Sequence, residues 1–174
     1  MTALGWLPAL DRRDLLAAVV AAALGPADGV QVVEIDPALA DTAAFCARYG
    51  VAMAESANCV VVAGRRGGET RMAACMVLAT TRADVNGVVR RRLSARKASF
   101  AAMDDAVART VMEYGGITPV GLPSGWPVLV DAAVAVGASL VIGSGLRRSK
   151  LLVSGAWLAA LPGAEVIDGL GLPA

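Results

Sequence analysis

Apolar positions along the chain fall into short blocks separated by glycine, proline and charge, and the spacing within each block predicts its backbone. Helical spacing over Asp11–Leu24, stopped by Gly25-Pro26, predicts a first helix. Val30–Ile35 is a short β-branched run and predicts a strand. Asp36-Pro37 joins an N-cap residue to a proline suited to the first turn, so a second helix is expected to run to Tyr49 and end at Gly50. Phe45 and Tyr49 stand four apart on it and read as core packing.

Two dense apolar runs follow, Asn58–Ala63 and Arg71–Thr80, joined by Gly64-Arg65-Arg66-Gly67-Gly68. They lack helical period and carry β-branched residues, which predicts a β-hairpin at the centre of a sheet with solvated arginines at its tip. Asp84–Leu93 and Asp104–Tyr114 are expected to be helices, with Asp104-Asp105 favouring the N-terminal end of the latter. Pro127–Asp131, Ser139–Ile142 and Lys150–Val153 predict three short strands, Ser154 a cap for a helix over Gly155–Leu161, and Ala164–Ile167 a last strand.

Between the helix ending at Tyr114 and the strand starting at Pro127 lies Gly115-Gly116-Ile117-Thr118-Pro119-Val120-Gly121. Adjacent glycines reach backbone angles closed to other residues and let a neighbour approach main-chain N–H groups, while Pro119 restrains itself and Thr118. A shaped loop is expected, serving either as a tight turn or as a binding loop.

Composition narrows the function. With 174 residues, 56% hydrophobic, and a mean hydropathy of +0.61, residues 1–174 are expected to form one domain with ample apolar material for a core. A net charge of +1 excludes a polyanion binder held by bulk charge and leaves room for a local basic patch. That patch is expected at Arg90-Arg91-Arg92, Arg96 and Lys97, with a second basic turn at Arg147-Arg148-Ser149-Lys150. Cys46, Cys59 and Cys75 form an odd set without C-x-x-C spacing, as expected of reduced core thiols. The apolar run Leu15–Leu24 is too short to cross a bilayer, and the uncharged balance of Asp11–Asp14 does not suit a signal peptide. A soluble, cytoplasmic protein is expected.

No histidine occurs, which removes Ser-His-Asp and Cys-His nucleophile systems and the usual zinc sites. Gly143-Ser144-Gly145 lacks the full G-x-G-x-x-G pattern because Arg148 holds its last position, and the G-x-x-x-x-G-K-[ST] loop is missing. No cofactor and no metal are expected.

The run Arg96-Lys97-Ala98-Ser99-Phe100, Thr110, the Gly115–Gly121 loop, Pro127–Asp131 and the later Gly143-Ser144-Gly145, in that order, resemble the YbaK/EbsC family of aminoacyl-tRNA deacylases, over roughly 36–167. The family includes prolyl-tRNA editing proteins and a domain associated with prolyl-tRNA synthetase. The resemblance implies an α/β fold with a curved, mixed, mostly antiparallel sheet flanked by helices. It also implies hydrolysis of the ester joining a wrong amino acid to the tRNA 3′ end, without a metal or protein nucleophile. Such a reaction needs an oriented water, donors for the developing oxyanion and a pocket that sorts side chains. On this likeness Asn58, Gly115 and Gly116 are the catalytic candidates, and Thr118, Pro119, Gly121, Asp131, Gly143, Ser144 and Gly145 the substrate-binding ones. Arg90, Arg91, Arg92, Arg96, Lys97, Arg147, Arg148 and Lys150 are candidates for tRNA contact. The implied partners are the acceptor end of aminoacyl-tRNA and an aminoacyl-tRNA synthetase, with no membrane and no DNA.

Two positions depart from the family pattern. Asn58, in Ala57-Asn58-Cys59-Val60-Val61, stands where the family carries a lysine, and Val111 follows Thr110 where a glycine is frequent. A neutral amide can donate and accept hydrogen bonds but brings no positive charge. The chain is therefore expected to be either an editing hydrolase or a catalytically inactive module on the same scaffold, binding an aminoacyl-adenosine, another small ligand or a protein.

Overall fold

The computed structural model describes residues 4–174. The chain opens with β1 (Leu7–Pro8), α1 (Ala18–Ala23) and β2 (Gln31–Glu34). Next, α2 (Thr42–Tyr49) leads into the expected hairpin of β3 (Ala57–Arg66) and β4 (Glu69–Leu78). After it come β5 (Thr81–Ala83), the single turn α3 (Arg90–Arg92), β6 (Lys97–Phe100) and α4 (Met103–Thr110). The last part holds β7 (Val128–Asp131), α5 (Ala132–Ala135), β8 (Leu140–Gly143), β9 (Ser149–Val153), α6 (Gly155–Ala159), β10 (Ala164–Ile167) and β11 (Gly171–Pro173).

A five-stranded sheet has the order β10-β7-β4-β3-β6, a four-stranded sheet the order β1-β2-β9-β8, and β11 pairs with β5. Pairing is parallel where β7 meets β10 and β4 and antiparallel elsewhere, the mixed α/β class expected. Side chains of β4 and β7 alternate between two cores, as strand geometry requires. Met76, Val128 and Val130 face a core shared with Val20, Val32, Ile142, Leu151 and Leu158. Cys75, Val77 and Leu129 face a second one, built with Val62, Val89, Leu93 and Leu170. The hairpin tip is only Gly67-Gly68, with φ of +57° and +84°. Two left-handed residues match the twist of the flanking strands, so pairing continues out to Arg66 and Glu69.

Several expected helices are shorter or irregular. The Asp11–Leu24 helix is a 3-10 stretch over Ala9–Leu15 and then α1, broken because Arg12 and Leu16 leave helical angles. Ala17 N–H donates to Ser144 O (3.3 Å) and Leu15, Leu16 and Ala17 are buried, so tertiary packing overrides helical continuity. Asp36 caps only the Pro37–Leu39 turn. A second cap at Asp41, accepting from Ala43 and Ala44 N–H, starts α2, and Gly50 (φ +70°) ends it. Asp84 caps a π-helical turn, Val85–Val89, before α3. Thr110 is the last residue of α4, and Val111 turns the chain in the left-handed region (φ +56°, ψ +36°).

Candidate active site

A cavity of about 500 Å³ opens where β3 loses its second neighbour. β3 touches β8 through the Ser56–Val141 bridge and pairs with β6 only from Val62 onward, so Asn58–Val60 have no strand on that edge. Into the gap come the start of α2, the β8 end at Gly143, the Tyr114–Ile117 stretch and Lys150 of β9.

Asn58 lines this cavity. Its Oδ1 accepts a hydrogen bond from Thr42 Oγ1 at 2.7 Å, and its amide nitrogen has no partner among the described residues. Cys59 also lines it, but burial and the neighbouring Cys75 push its thiol far up, and burial pushes Cys75 up to about 12. A protonated thiol without a histidine to take its proton is a poor nucleophile. Apolar walls come from Val61, Ala106, Ile117 and Val141, while Phe100 and Tyr114, 61% and 57% exposed, stand at the mouth.

Lys150 is 6% exposed and lines the same cavity. Its Nζ donates to Ala40 O at 2.7 Å and stands 5.5 Å from the centre of the Phe45 ring. Burial lowers its pKa to about 8, a shift opposed by Cys46 and Asp41 and reinforced by Arg147. The expected surface contact with tRNA does not suit this residue, because its side chain is buried in the cavity wall rather than exposed. A lone lysine in the apolar run Ser149–Val153 is the sequence signal for such an interior cation.

The glycine loop divides. Gly115 (φ +86°) lines the cavity, and its N–H has no partner among the described residues. Gly116 is built into the scaffold: its N–H donates to Glu113 O (2.9 Å), its carbonyl accepts from Gly145 N–H (2.7 Å), and a Cβ would meet the Leu146 backbone at 2.7 Å. Gly143 reaches the cavity from β8, where a Cβ would strike the Gly116 carbonyl. Gly145 packs against Ala17, leaving no room for a side chain.

The other candidates lie outside the cavity. Thr118 is fully buried with Oγ1 unpartnered. Pro119 and Gly121 line a separate hollow of about 660 Å³ beside Trp126 and Pro162. Asp131 caps α5 through Ala133 N–H (3.0 Å) and accepts from Gly171 N–H (2.7 Å), holding the C-terminal strand. Ser144 is locked to Ser149 Oγ (2.6 Å) and to Leu146 N–H. Of these five, Asp131 and Ser144 hold the frame of the site through their hydrogen bonds.

The basic residues also separate. Arg90 and Arg96 gather with Arg66 in one hollow at the hairpin tip, and Arg96 and Lys97 with Arg65 and Arg66 in another. Arg92 turns away to Glu165 (2.6 Å), and Arg91 is an exposed residue of α3 with no side-chain partner among the described residues. Arg147 donates to Tyr114 O (3.1 Å) and Pro37 O (3.0 Å), and Arg148 to Asp14 O, so both bind the frame together. Arg65 and Arg66, expected to be merely solvated, complete the tip cluster.

Among the described residues, no group of His, Cys, Asp and Glu could hold a metal ion, and no helix is long and apolar enough to cross a membrane.

Comparisons with known proteins agree with this architecture. A solved structure described as that of a candidate trans-editing enzyme for prolyl-tRNA synthetase superposes with a TM-score of 0.68 at 21% identity, over 80% of this chain and 85% of that one. The hypothetical protein APE2540 gives 0.71 at 20% identity, over 82% and 91%. A scaffold used for computational epitope grafting gives 0.68 at 22%, over 80% and 85%. No protein of curated function matches in sequence. The model of the aminoacyl-tRNA editing domain matches residues 36–161, most of the chain and all of the cavity, and the chain belongs to that family.

Proposed function

We propose that the protein is a trans-acting hydrolase that removes a wrongly attached amino acid from tRNA. The observation that carries this reading is the cavity itself, about 500 Å³, lined both by apolar side chains and by Asn58, Gly115 and Lys150. That combination suits an aminoacyl group whose side chain meets Val61, Ala106, Ile117 and Val141 and whose ester meets polar atoms. Small apolar side chains would be sorted by fit, worth about 1–3 kcal/mol per methylene.

Asn58 orients the substrate through its free amide nitrogen, held in place by Thr42. The Gly115 N–H is a donor for the developing oxyanion, the term that usually dominates such catalysis. Gly116 supports it as a backbone brace. Phe100 and Tyr114 at the mouth offer aromatic faces for the terminal adenine. From Phe100, β6 runs back to Lys97, which pairs with Arg65. Three strand residues span about 10 Å, so the tip arginines can meet phosphates just upstream of the terminal nucleotide.

A panel of mischarged aminoacyl-tRNAs, each followed for ester loss against the spontaneous rate, tests this. Acceleration of at least one supports hydrolysis; acceleration of none overturns it. One observation favours a second reading, a binding module without turnover: the Gly116 N–H and the Asn58 acceptor are already engaged. Saturable binding of a stable aminoacyl-adenosine analogue with no turnover across the panel would establish that alternative.

A further inference from the structure

We infer that Lys150 supplies the positive charge of this active site, its ammonium donating a hydrogen bond to the carbonyl oxygen of the scissile ester and to the oxyanion that forms from it. The inference rests on the hydrolase reading above and assigns that site its electrophilic group.

Three observations carry it. Lys150 is the only lysine or arginine that lines the cavity among the described residues, and it comes from β9 of the four-stranded sheet, whereas Asn58 comes from β3 of the five-stranded one. It is buried yet has no carboxylate within ion-pair distance: its one hydrogen bond is to the neutral Ala40 carbonyl, leaving two of three ammonium donors unclaimed by the protein. The nearby Asp41 carboxylate is engaged as the cap of α2, accepting from Ala43 and Ala44 N–H. A buried ammonium without a counter-ion is unfavourable, and an anion or developing anion in the cavity relieves it.

The groups facing Lys150 set its charge. Asp41 and Cys46 from α2 favour the ammonium; Arg147 from the turn before β9 and burial itself oppose it, with Phe45 beneath. With a pKa of about 8 it is mostly charged at neutral pH. In the reaction, water oxygen bonds to the carbonyl carbon and the C=O electron pair moves onto the oxygen held by Lys150. Collapse breaks the bond to the ribose oxygen, which takes one proton of the water, while the other is released to solvent from the free carboxyl group. Lys150 keeps its proton throughout.

The test combines kinetics with a direct view of the amine. Using an aminoacyl-tRNA that the wild type deacylates, K150M should lower kcat by about 100-fold with KM little changed, the loss expected for one oxyanion donor. The enzymatic rate of the wild type, corrected for spontaneous hydrolysis, should fall as pH rises through about 8, and K150R should move that fall to higher pH. Lys97 and Lys150 are the only lysines, so side-chain 15N-lysine labelling yields two assignable signals. Saturation with an adenosine carrying an amide-linked amino acid at the 3′ position should shift the buried signal and leave that of Lys97 in place. A K150M enzyme within threefold of wild-type kcat, or a saturated wild type whose Lys150 signal does not move, overturns the inference while leaving the hydrolase reading intact. No turnover and no analogue binding by the wild type overturns both.

Discussion

Thr42 Oγ1 donates a 2.7 Å hydrogen bond to Asn58 Oδ1, linking the first residue of α2 to the open edge of β3. This bond determines which end of the amide faces the substrate: with the oxygen engaged, the nitrogen remains to donate. Asn58→Ala is expected to lower kcat/KM by ten- to a hundredfold, about 1.4–2.7 kcal/mol. Cys59→Ala, which removes a protonated thiol, should change it less than threefold. Thr42→Val should fall between them, because the amide loses its anchor but not its donor. Deacylation kinetics of the three variants check the order; equal effects of Asn58→Ala and Cys59→Ala would remove the asparagine from the mechanism.

The glycine loop permits a sharper separation of scaffold from chemistry. Gly116→Ala drives a Cβ into the Leu146 backbone, which cannot yield as a side chain can, and should cost about 2–3 kcal/mol of stability. Gly115→Ala meets the far end of the Arg147 side chain rather than backbone, and that contact with its φ of +86° should cost about 1–2 kcal/mol. Activity should show the reverse order once corrected for the folded fraction, since Gly115 lines the cavity with its N–H unpaired among the described residues, while the Gly116 N–H is engaged by Glu113 O. Denaturant midpoints and kcat measured on the same samples test this.

Much of the frame was legible in the sequence, and the reasons differ between elements. The β3–β4 hairpin, β7, β8 and β9 declare themselves as dense apolar runs because each buries side chains in a core, and the half-buried β10 as a short run between Gly163 and Gly169. β6 and β11 lie outside the expected strands: Lys97–Phe100 and Gly171–Pro173 are too short and too weakly apolar to declare themselves, and they exist through pairing with β3 and β5. At the site, Asn58 and Gly115 were legible because they stand in ordered motifs. Gly116, Ser144 and Asp131 stand in those motifs too, but their chemistry is directed into the fold. In the sequence Lys150 adjoins Arg147 and Arg148 in one basic turn, which masks the signal of a lone lysine opening an apolar run, and its 6% exposure in β9 shows that the side chain is interior.

Val111 offers a stability prediction independent of function. A β-branched residue in the left-handed region is strained, and this one is 68% exposed, so it gains little by packing. Val111→Gly should therefore stabilise the protein by about 1 kcal/mol despite glycine's larger unfolded-state entropy. Chemical denaturation at neutral pH, with the m-value unchanged, is the measurement.

Lys150 also predicts how stability depends on pH. Its folded-state pKa lies near 8, below the ordinary lysine value of 10.5, so between these values the unfolded chain holds a proton that the folded one has released. Stability from this group therefore rises with pH across that window, and its burial is most unfavourable below pH 8. Relative to K150M, the wild type should gain up to about 3 kcal/mol between pH 7 and pH 10.5. Unfolding of both proteins at matched pH isolates the effect from other titrating groups, and a constant difference would show that the amine is not desolvated.

The basic tip and the basic turn should respond in opposite ways to charge removal. If Arg65 and Arg96 contact phosphates of the single-stranded 3′ end, replacing both with alanine should raise KM. It should also make the dependence of log kcat/KM on log salt shallower by about 1.4, with each single-strand contact contributing about 0.7. Stability should hardly change, because neither arginine has a carboxylate partner among the described residues. Arg147→Ala should instead lower stability by about 1–2 kcal/mol, since its guanidinium joins Tyr114 and Pro37 carbonyls from two separate segments. Its salt slope should match the wild type. A shallower slope for Arg147→Ala and an unchanged one for the double variant would move the tRNA path from β6 to the turn before β9.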